Sequence, residues 1–278
     1  MELFKIRKDI ITDLREDFPE LVDKFNHFVI SPLHSKQNTV ISLTFNKETE
    51  RLPKEMIVKI FRTKNADNEY NTLKRLKKQK LLIPDIIFYK KPYLFLEKAE
   101  GVNLCDYIND KLVDVADLNE LDADVKKEII ICVEKLADWF TQLHTNNMIG
   151  KNELSEIIVL NKGDTRLRDF IYNPSNNELY GMDFEESYEG NHIDDIAWVC
   201  CSLLDTNPGI FEMDNPKSKI DLLNHFLKSY YRKNPTFHFN FKYFTEKLIE
   251  NLNIVMRRRH INLNLDKENF IKNISKEM

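Results

Sequence analysis

The chain has 278 residues, 42% of them apolar and 31% charged, and a formal net charge of −4. That length suits one large domain or two modest lobes, and the slight acidic excess gives no electrostatic footprint for nucleic acid. No apolar run is long enough to span a bilayer. The charged start Met1-Glu2-Leu3-Phe4-Lys5-Ile6-Arg7-Lys8-Asp9 lacks the apolar core of a signal peptide, so a cytoplasmic chain with no membrane partner is expected.

Residues 9–25 read as an amphipathic helix through Ile10, Leu14, Phe18, Leu21, Val22 and Phe25. Strand patterns follow over His27 to Ile30, Thr39 to Phe45 and Glu55 to Phe61. The first two flank a polar hairpin loop, Ser31 to Asn38. A helix is expected over Ala66 to Lys80, with Leu73 and Leu76 on its apolar face and Glu69 close by. Two further strands follow, Ile86 to Tyr89 and Tyr93 to Glu97. Between Glu97 and Gly101 the pattern turns helical. Val125 to Thr145 shows it most clearly, with Ile129, Val133, Leu136, Phe140 and Leu143 on one face. The acid-rich stretch Asp106 to Glu128 keeps helical spacing, and three or four more helices are expected after Pro208. This order predicts an α+β chain with a sheet-containing first lobe, residues 1–98, and a mainly helical second lobe, residues 99–278. Cys105, Cys132, Cys200 and Cys201 lack zinc-site spacing and read as buried, reduced thiols. The triplet Arg257-Arg258-Arg259 reads as a small basic, solvated helix face.

Two short aspartate motifs carry the chemistry. The first is Lys162-Gly163-Asp164-Thr165-Arg166-Leu167-Arg168-Asp169, followed by the strand-like Phe170-Ile171-Tyr172. The second, Gly181-Met182-Asp183-Phe184-Glu185, follows Leu179-Tyr180. This is the layout of a kinase catalytic loop and a metal-binding loop: one aspartate accepts the proton of an attacking hydroxyl, the other holds the magnesium that bridges ATP phosphates. Of only six glycines, Gly163 and Gly181 fall inside these motifs, where tight turns are needed.

With these parts in order, nearly the whole chain resembles the aminoglycoside phosphotransferase and choline kinase superfamily, which has a two-lobed, protein-kinase-like fold. The most specific stretch is 162–197, with Gly163-Asp164, Asp169, Asp183 and Asp195-Ile196-Ala197 at the family's motif positions. Met182-Asp183-Phe184-Glu185 looks closest to choline and ethanolamine kinases. Two positions depart: Lys162 stands where the family usually has His, and Asp169 where it usually has Asn. Asp169 is still a hard oxygen ligand, but it adds a negative charge beside the phosphates, which bears on metal affinity and catalysis.

The resemblance implies ATP and Mg2+ as cofactors and a small-molecule hydroxyl as acceptor. Asp164 would be the base, Arg166 a cation facing the γ-phosphate, and Asp169 and Asp183 the metal ligands. Lys59 would contact the α- and β-phosphates and pair with Glu69. The loop Ser31 to Asn38, Ser35 among its residues, would cover the phosphates through backbone N–H groups. Backbone near Glu97 to Ala99 would meet the adenine. Asp195 would hold the catalytic loop through backbone N–H groups, and His144 would pack or form a hydrogen bond. Trp139 and Trp198 read as core. For a cationic acceptor, Tyr230, Tyr231, Phe237, Phe239, Phe241, Tyr243 and Phe244 offer rings, with an ordinary aromatic core the favoured reading; the acids of 106–124 and Glu185, Glu186 and Glu189 suit an aminoglycoside or a solvated face equally. The leading expectation is a small-molecule kinase. The alternatives are a pseudokinase, favoured by the two departures and the glycine-free loop, and a protein kinase, disfavoured because Asp183 to Asp195 is too short for an activation segment.

Overall fold

A computed structural model describes residues 12, 28–33, 35, 37–45, 53–151, 157–213, 215–261 and 271–275. The helix expected over residues 9–25 lies outside them, Thr12 apart. The chain divides into two compact units, one of residues 1–74 and 84–98, the other of 75–83 and 99–278.

In the first unit, alternation in β2 (Thr39–Phe45) and β3 (Glu55–Ile60) turns Ile41, Leu43, Phe45, Met56 and Val58 onto one face, where Phe95 of β5 (Tyr93–Glu97) joins them. With β1 (Phe28–Leu33) and β4 (Ile86–Lys90) they make a five-stranded antiparallel sheet in the order β1-β2-β3-β5-β4. β1 runs three residues further than its sequence pattern suggests. Ser31, Pro32 and Leu33 pair with Ser42, Ile41 and Val40, so the strand takes in the first three residues of the expected hairpin loop. Proline is tolerated here because β1 is an edge strand and needs no outward N–H. Helix α1 (Ala66–Lys78) has Asp67 and Glu69 in its first turn and Arg75, Lys77 and Lys78 in its last, charges that suit its dipole.

Residues 75–83, expected in the first lobe, belong to the second unit. The Leu82 carbonyl accepts hydrogen bonds from Trp139 Nε1 at 2.9 Å and from Gly181 N at 3.1 Å. Gln79 Nε2 donates to Asn147 Oδ1 at 3.0 Å.

The second unit is built on α2 (Leu104–Lys111), α3 (Ala123–Asn146), α4 (His192–Asp205), α5 (Lys217–Lys233) and α6 (Phe241–Arg258). Two small sheets complete it. One orders β10 (Glu178–Gly181), β9 (Phe170–Asn173) and β6 (Val102–Asn103); the other orders β11 (Tyr188–Asn191), β8 (Ile157–Asn161) and β7 (Met148–Lys151). The apolar face of α3 is buried along its length. The acidic stretch before it is not one helix. Asp117 and Asp122 cap a 3-10 turn (Leu118–Glu120) and α3, and Glu128 pairs with Lys111 at 2.6 Å, so these acids serve local structure. All four cysteines are free and buried, and burial pushes the Cys132 thiol up to about 12. The rings of Tyr230, Tyr231, Phe237 and Phe244 are buried as well. Among the described residues no helix is long and apolar enough to cross a membrane.

Candidate active site

The catalytic-loop motif is held from beneath by α4. Asn191 caps that helix by accepting from Ile193 N at 3.0 Å, and this places Asp195 in its first turn, fully buried. The Asp195 carboxylate accepts from Lys162 N at 2.6 Å, Gly163 N at 3.0 Å and Thr165 Oγ1 at 3.2 Å. On its other side lies His144 Nε2 at 3.2 Å, whose Nδ1 is 2.7 Å from the Tyr230 hydroxyl. A buried carboxylate with this many donors fixes the backbone around it, because losing any one leaves a charged acceptor short of a partner. Gly163 has φ +74°, and a Cβ there would stand 2.3 Å from the Glu186 carbonyl oxygen, so only glycine fits. The loop is tied down once more where Leu167 N donates to Ser202 Oγ of α4 at 2.9 Å.

Asp164 then projects from a left-handed backbone, φ 29°, a conformation that costs a non-glycine residue roughly 1–3 kcal/mol. Its carboxylate is partly exposed and accepts from Arg166 Nη2 at 2.7 Å. Arg258, in the last turn of α6, adds three more contacts: Nη1 at 3.1 Å to Oδ1 and 3.3 Å to Oδ2, and Nη2 at 3.3 Å to Oδ2. The Arg258 guanidinium also lies over the Trp198 ring, 5.9 Å from its centroid. The basic triplet is therefore not simply a solvated face. Arg258 reaches the candidate base, Arg259 pairs with Asp205 at 2.8 Å, and Arg257 Nε donates to the Asn253 carbonyl at 3.3 Å. Nothing in the local sequence points to Arg258, because its partner lies 94 residues away.

The two unusual positions turn out to be partners. Lys162 is buried, with Nζ 3.1 Å from Asp169 Oδ2 and 2.9 Å from the Asp183 carbonyl. Phe170 and Phe184 flank the ammonium, their ring centroids 5.8 and 5.7 Å away. The charge that aspartate adds at position 169 is thus met by the charge that lysine adds at 162. Arg166 N also donates to Asp169 Oδ2 at 2.9 Å, closing a 3-10 turn over Leu167–Asp169. Met182 N donates to the Asp169 carbonyl at 2.8 Å, which brings the second motif alongside the first. Gly181 precedes it at the end of β10, where a Cβ would stand 2.2 Å from the Trp139 ring. Asp183 itself is exposed and left-handed, φ 64°.

Asp169 and Asp183 suit a hard divalent cation. Burial pushes the Asp169 carboxyl above its ordinary range, Lys162 opposes this, and the neighbouring Asp183 charge adds to it. A cation shared by the two carboxylates would relieve that crowding. Among the described residues, both hydrogen bonds to the Asp169 carboxylate end on Oδ2, which leaves Oδ1 to a metal.

In the first unit Lys59 sits on β3 between Val40 and Leu94. Its Nζ is 2.6 Å from Glu69 Oε2, and both side chains are buried, at 9% and 1% exposure. Burying a lysine is costly, and the Glu69 carboxylate offsets that cost here. Ser35 is exposed, and its Oγ accepts from Asn38 N at 3.3 Å. Glu97 N donates to the Asp85 carbonyl at 2.8 Å, and Glu97 pairs with Met56 of β3. Ala99 is half-buried at the start of the second unit's long segment. Within each unit, then, Lys59 meets Glu69, and Asp164, Arg166, Asp169 and Asp183 share one loop system.

The chain matches no protein-family model and no curated protein. Solved structures do match along nearly its full length. The streptomycin–ATP complex of APH(2")-IIa aligns with a TM-score of 0.54 at 13% identity, covering 91% of this chain and 94% of that one. A choline/ethanolamine kinase family protein from Mesorhizobium loti gives 0.55 at 9% identity, covering 96% and 91%. The amicoumacin kinase hAmiN, bound to AMP-PNP, Ca2+ and Ami, gives 0.51 at 16% identity, covering 94% and 92%. At these identities the likeness is one of fold: the chain has the α+β, protein-kinase-like fold of these structures.

Proposed function

We propose that the chain is an ATP-dependent phosphotransferase that moves the γ-phosphoryl group of Mg-ATP to a hydroxyl of a small molecule. The observation that carries this reading is the Asp195-held loop, which presents Asp164 and lies hydrogen-bonded against the turn that presents Asp183. The fold shared with three small-molecule kinase structures supports it.

Asp164 would accept the proton of the acceptor hydroxyl as its oxygen attacks the γ-phosphorus. Lys59, oriented by Glu69, would contact the α- and β-phosphates, and Arg166 would face the γ-phosphate. The loop around Ser35 would cover the phosphates, and backbone from Glu97 to Ala99 would meet the adenine. Asp169 and Asp183 would hold the magnesium, which when bound supplies charge neutralisation at the phosphates. Lys162 keeps those two loops in register. The acceptor is an amino alcohol, an aminoglycoside or a sugar-like alcohol, the class spanned by the structural relatives.

Titration calorimetry of Mg-ATP against wild type and Asp183→Ala tests the reading. Metal-dependent binding in wild type, lost in the variant, is expected; unchanged affinity overturns the metal-site assignment. An ATP-consumption screen across amino alcohols, aminoglycosides, sugars and nucleosides then identifies the acceptor. A nucleotide-binding pseudokinase is the second reading, favoured by one observation: a charged Lys162–Asp169 pair at a metal-ligand position. Nucleotide binding with no transfer to any acceptor in that screen would establish it.

A further inference from the structure

Resting on the phosphotransferase reading, we propose that Arg258 is a positioning residue for Asp164: its guanidinium fork sets the plane of the carboxylate that takes the acceptor's proton.

The chain on either side of Asp164 is fixed by one buried carboxylate, since Asp195 accepts from Gly163 N at 3.0 Å and from Thr165 Oγ1 at 3.2 Å. The Asp164 side chain keeps its own torsions, and the terminal torsion of an aspartate is intrinsically broad. Among the described residues, two groups limit it. Arg166 donates through Nη2 alone, to Oδ2 at 2.7 Å, and a single contact does not set a plane. Arg258 presents two nitrogens to the two oxygens: Nη1 lies 3.1 Å from Oδ1 and 3.3 Å from Oδ2, and Nη2 lies 3.3 Å from Oδ2. A planar fork on a planar carboxylate fixes its rotation as well as its distance. Oδ1 has this one contact, which leaves it a lone pair for the acceptor hydroxyl.

Arg258 is itself placed by α4. Its guanidinium lies over Trp198, 5.9 Å from the ring centroid, and Trp198 follows Asp195 by one turn of that helix. The helix that holds the loop's main chain through Asp195 and Ser202 thus also steadies the group that orients its aspartate. The charges around it balance: Arg166, Arg258 and Arg259 face Asp164, Asp205 and Glu212. Arg258 therefore adds no excess field that would select an acceptor by charge, and its contribution is orientation. In the phosphotransferase reading the γ-phosphate competes with Asp164 for the N–H groups of Arg166, and Arg258 then keeps the carboxylate in place. In the transfer step a lone pair of the acceptor oxygen bonds to the γ-phosphorus, the bond to the β–γ bridging oxygen breaks, its electrons leave with ADP, and the hydroxyl proton passes to Asp164 Oδ1. A carboxylate turned out of its plane aims that lone pair away from the proton. This raises the barrier and leaves ground-state binding alone.

The test compares the full chain as wild type, Arg258→Gln, Arg258→Lys, Asp164→Asn and the Arg258→Gln/Asp164→Asn double variant. Each is given Mg-ATP, with phosphate release to water and transfer to ethanolamine, streptomycin and glucose followed, and urea midpoints as the control for folding. Arg258→Gln is expected to lower kcat by about 10- to 100-fold, the scale of a small misplacement of a reacting group, with KM for ATP and acceptor near wild type. Arg258→Lys keeps the charge without the fork, so it is expected to keep the wild-type urea midpoint but recover little of kcat. In the Asp164→Asn background Arg258→Gln is expected to cost nothing further, because the two residues act as a unit. An unchanged kcat in Arg258→Gln, a full kcat in Arg258→Lys, a loss through KM alone, or losses that multiply in the double variant each overturn the inference. Should Arg258→Gln not fold, Arg258→Lys decides by the same kcat criterion. Turnover insensitive to Arg258 overturns this inference alone, whereas a wild type that transfers phosphate to nothing, water included, overturns the phosphotransferase reading and this inference with it.

Discussion

Lys162 and Asp169 form one unit of charge, and each is a poor occupant of its place without the other. Asp169→Asn leaves the buried Lys162 ammonium with neutral acceptors and two ring faces but no opposing charge, which should cost about 1–3 kcal/mol. Lys162→Met strands the Asp169 carboxylate at a similar cost. The double variant should recover part of the loss, with a coupling of roughly 0.5–3 kcal/mol. Urea unfolding of the four proteins without metal or nucleotide measures it, and strict additivity would mean that the pair is not a pair. Asp164→Asn belongs at this scale too. It should lower transfer by about 10² to 10⁴-fold while Mg-ATP affinity stays near wild type, because the lost interaction is made in the transition state. Full turnover in that variant would remove Asp164 from its role. Asp164, Asp183 and Asp195 are legible in the sequence because their spacing is short and glycines mark the turns. The Lys162–Asp169 match is only half legible: both residues stand out as departures, but nothing in the chain says that they touch. Arg258 is not legible at all, since its partner is fixed by where α6 ends.

At the scale of elements, Gly181 shows how one missing side chain positions a motif. A Cβ at this end of β10 would meet Trp139 Cζ2 at 2.2 Å, and that indole is itself held by the Leu82 carbonyl. Gly181→Ala should cost about 1–3 kcal/mol through overpacking, read as a lower urea midpoint, and should weaken Mg-ATP binding by displacing the turn that carries Asp183. Helix α5 carries a different liability. Lys219, in its first turn, is buried with its ammonium on the carbonyl and hydroxyl of Thr206. Burial pushes its pKa down to about 8, with the charges of Cys105 and Asp205 opposing. The unfolded chain therefore binds more protons between about 8 and 10.5. The penalty is complete below 8 and fades as pH rises to 10.5. Lys219→Met should be more stable than wild type at pH 7, by on the order of 3 kcal/mol at most, and the gain should shrink at pH 10. A gain that is flat with pH would exclude this cause. The strands β2 and β5 and helix α3 are read almost to the residue from alternation and helical spacing. β7 and β11 are not, because they are four residues long and their pairing with β8 reaches across the loop system.

Across the whole molecule, the second unit carries an acid sensitivity. His192 is buried, and burial first, then the His144 charge, push its pKa down to about 3. The folded state stays neutral there while the unfolded chain takes a proton below about 6.5. Stability is lost as pH falls from 6.5 toward 3, by up to about 1.36 kcal/mol per pH unit from this group. Relative to wild type, His192→Phe should gain stability over that window in acid-titrated urea melts; parallel curves would rule the histidine out. The switch from strand to helical patterning near residues 97–101 is plain in the sequence. The allegiance of residues 75–83 is not, because what binds them, Trp139, Asn147 and Gly181, comes 57 or more residues later. That detour has a consequence for synthesis. As the chain leaves the ribosome, the sheet can close once β5 has emerged, but the stretch from Arg75 to Ile83 must wait until β10 is made. During that interval Leu76, Leu81 and Ile83, all buried in the finished molecule, are exposed. A fragment ending at Lys98 would keep them so permanently and should aggregate, which makes residue 98 a visible boundary in the fold but a poor place to cut the chain.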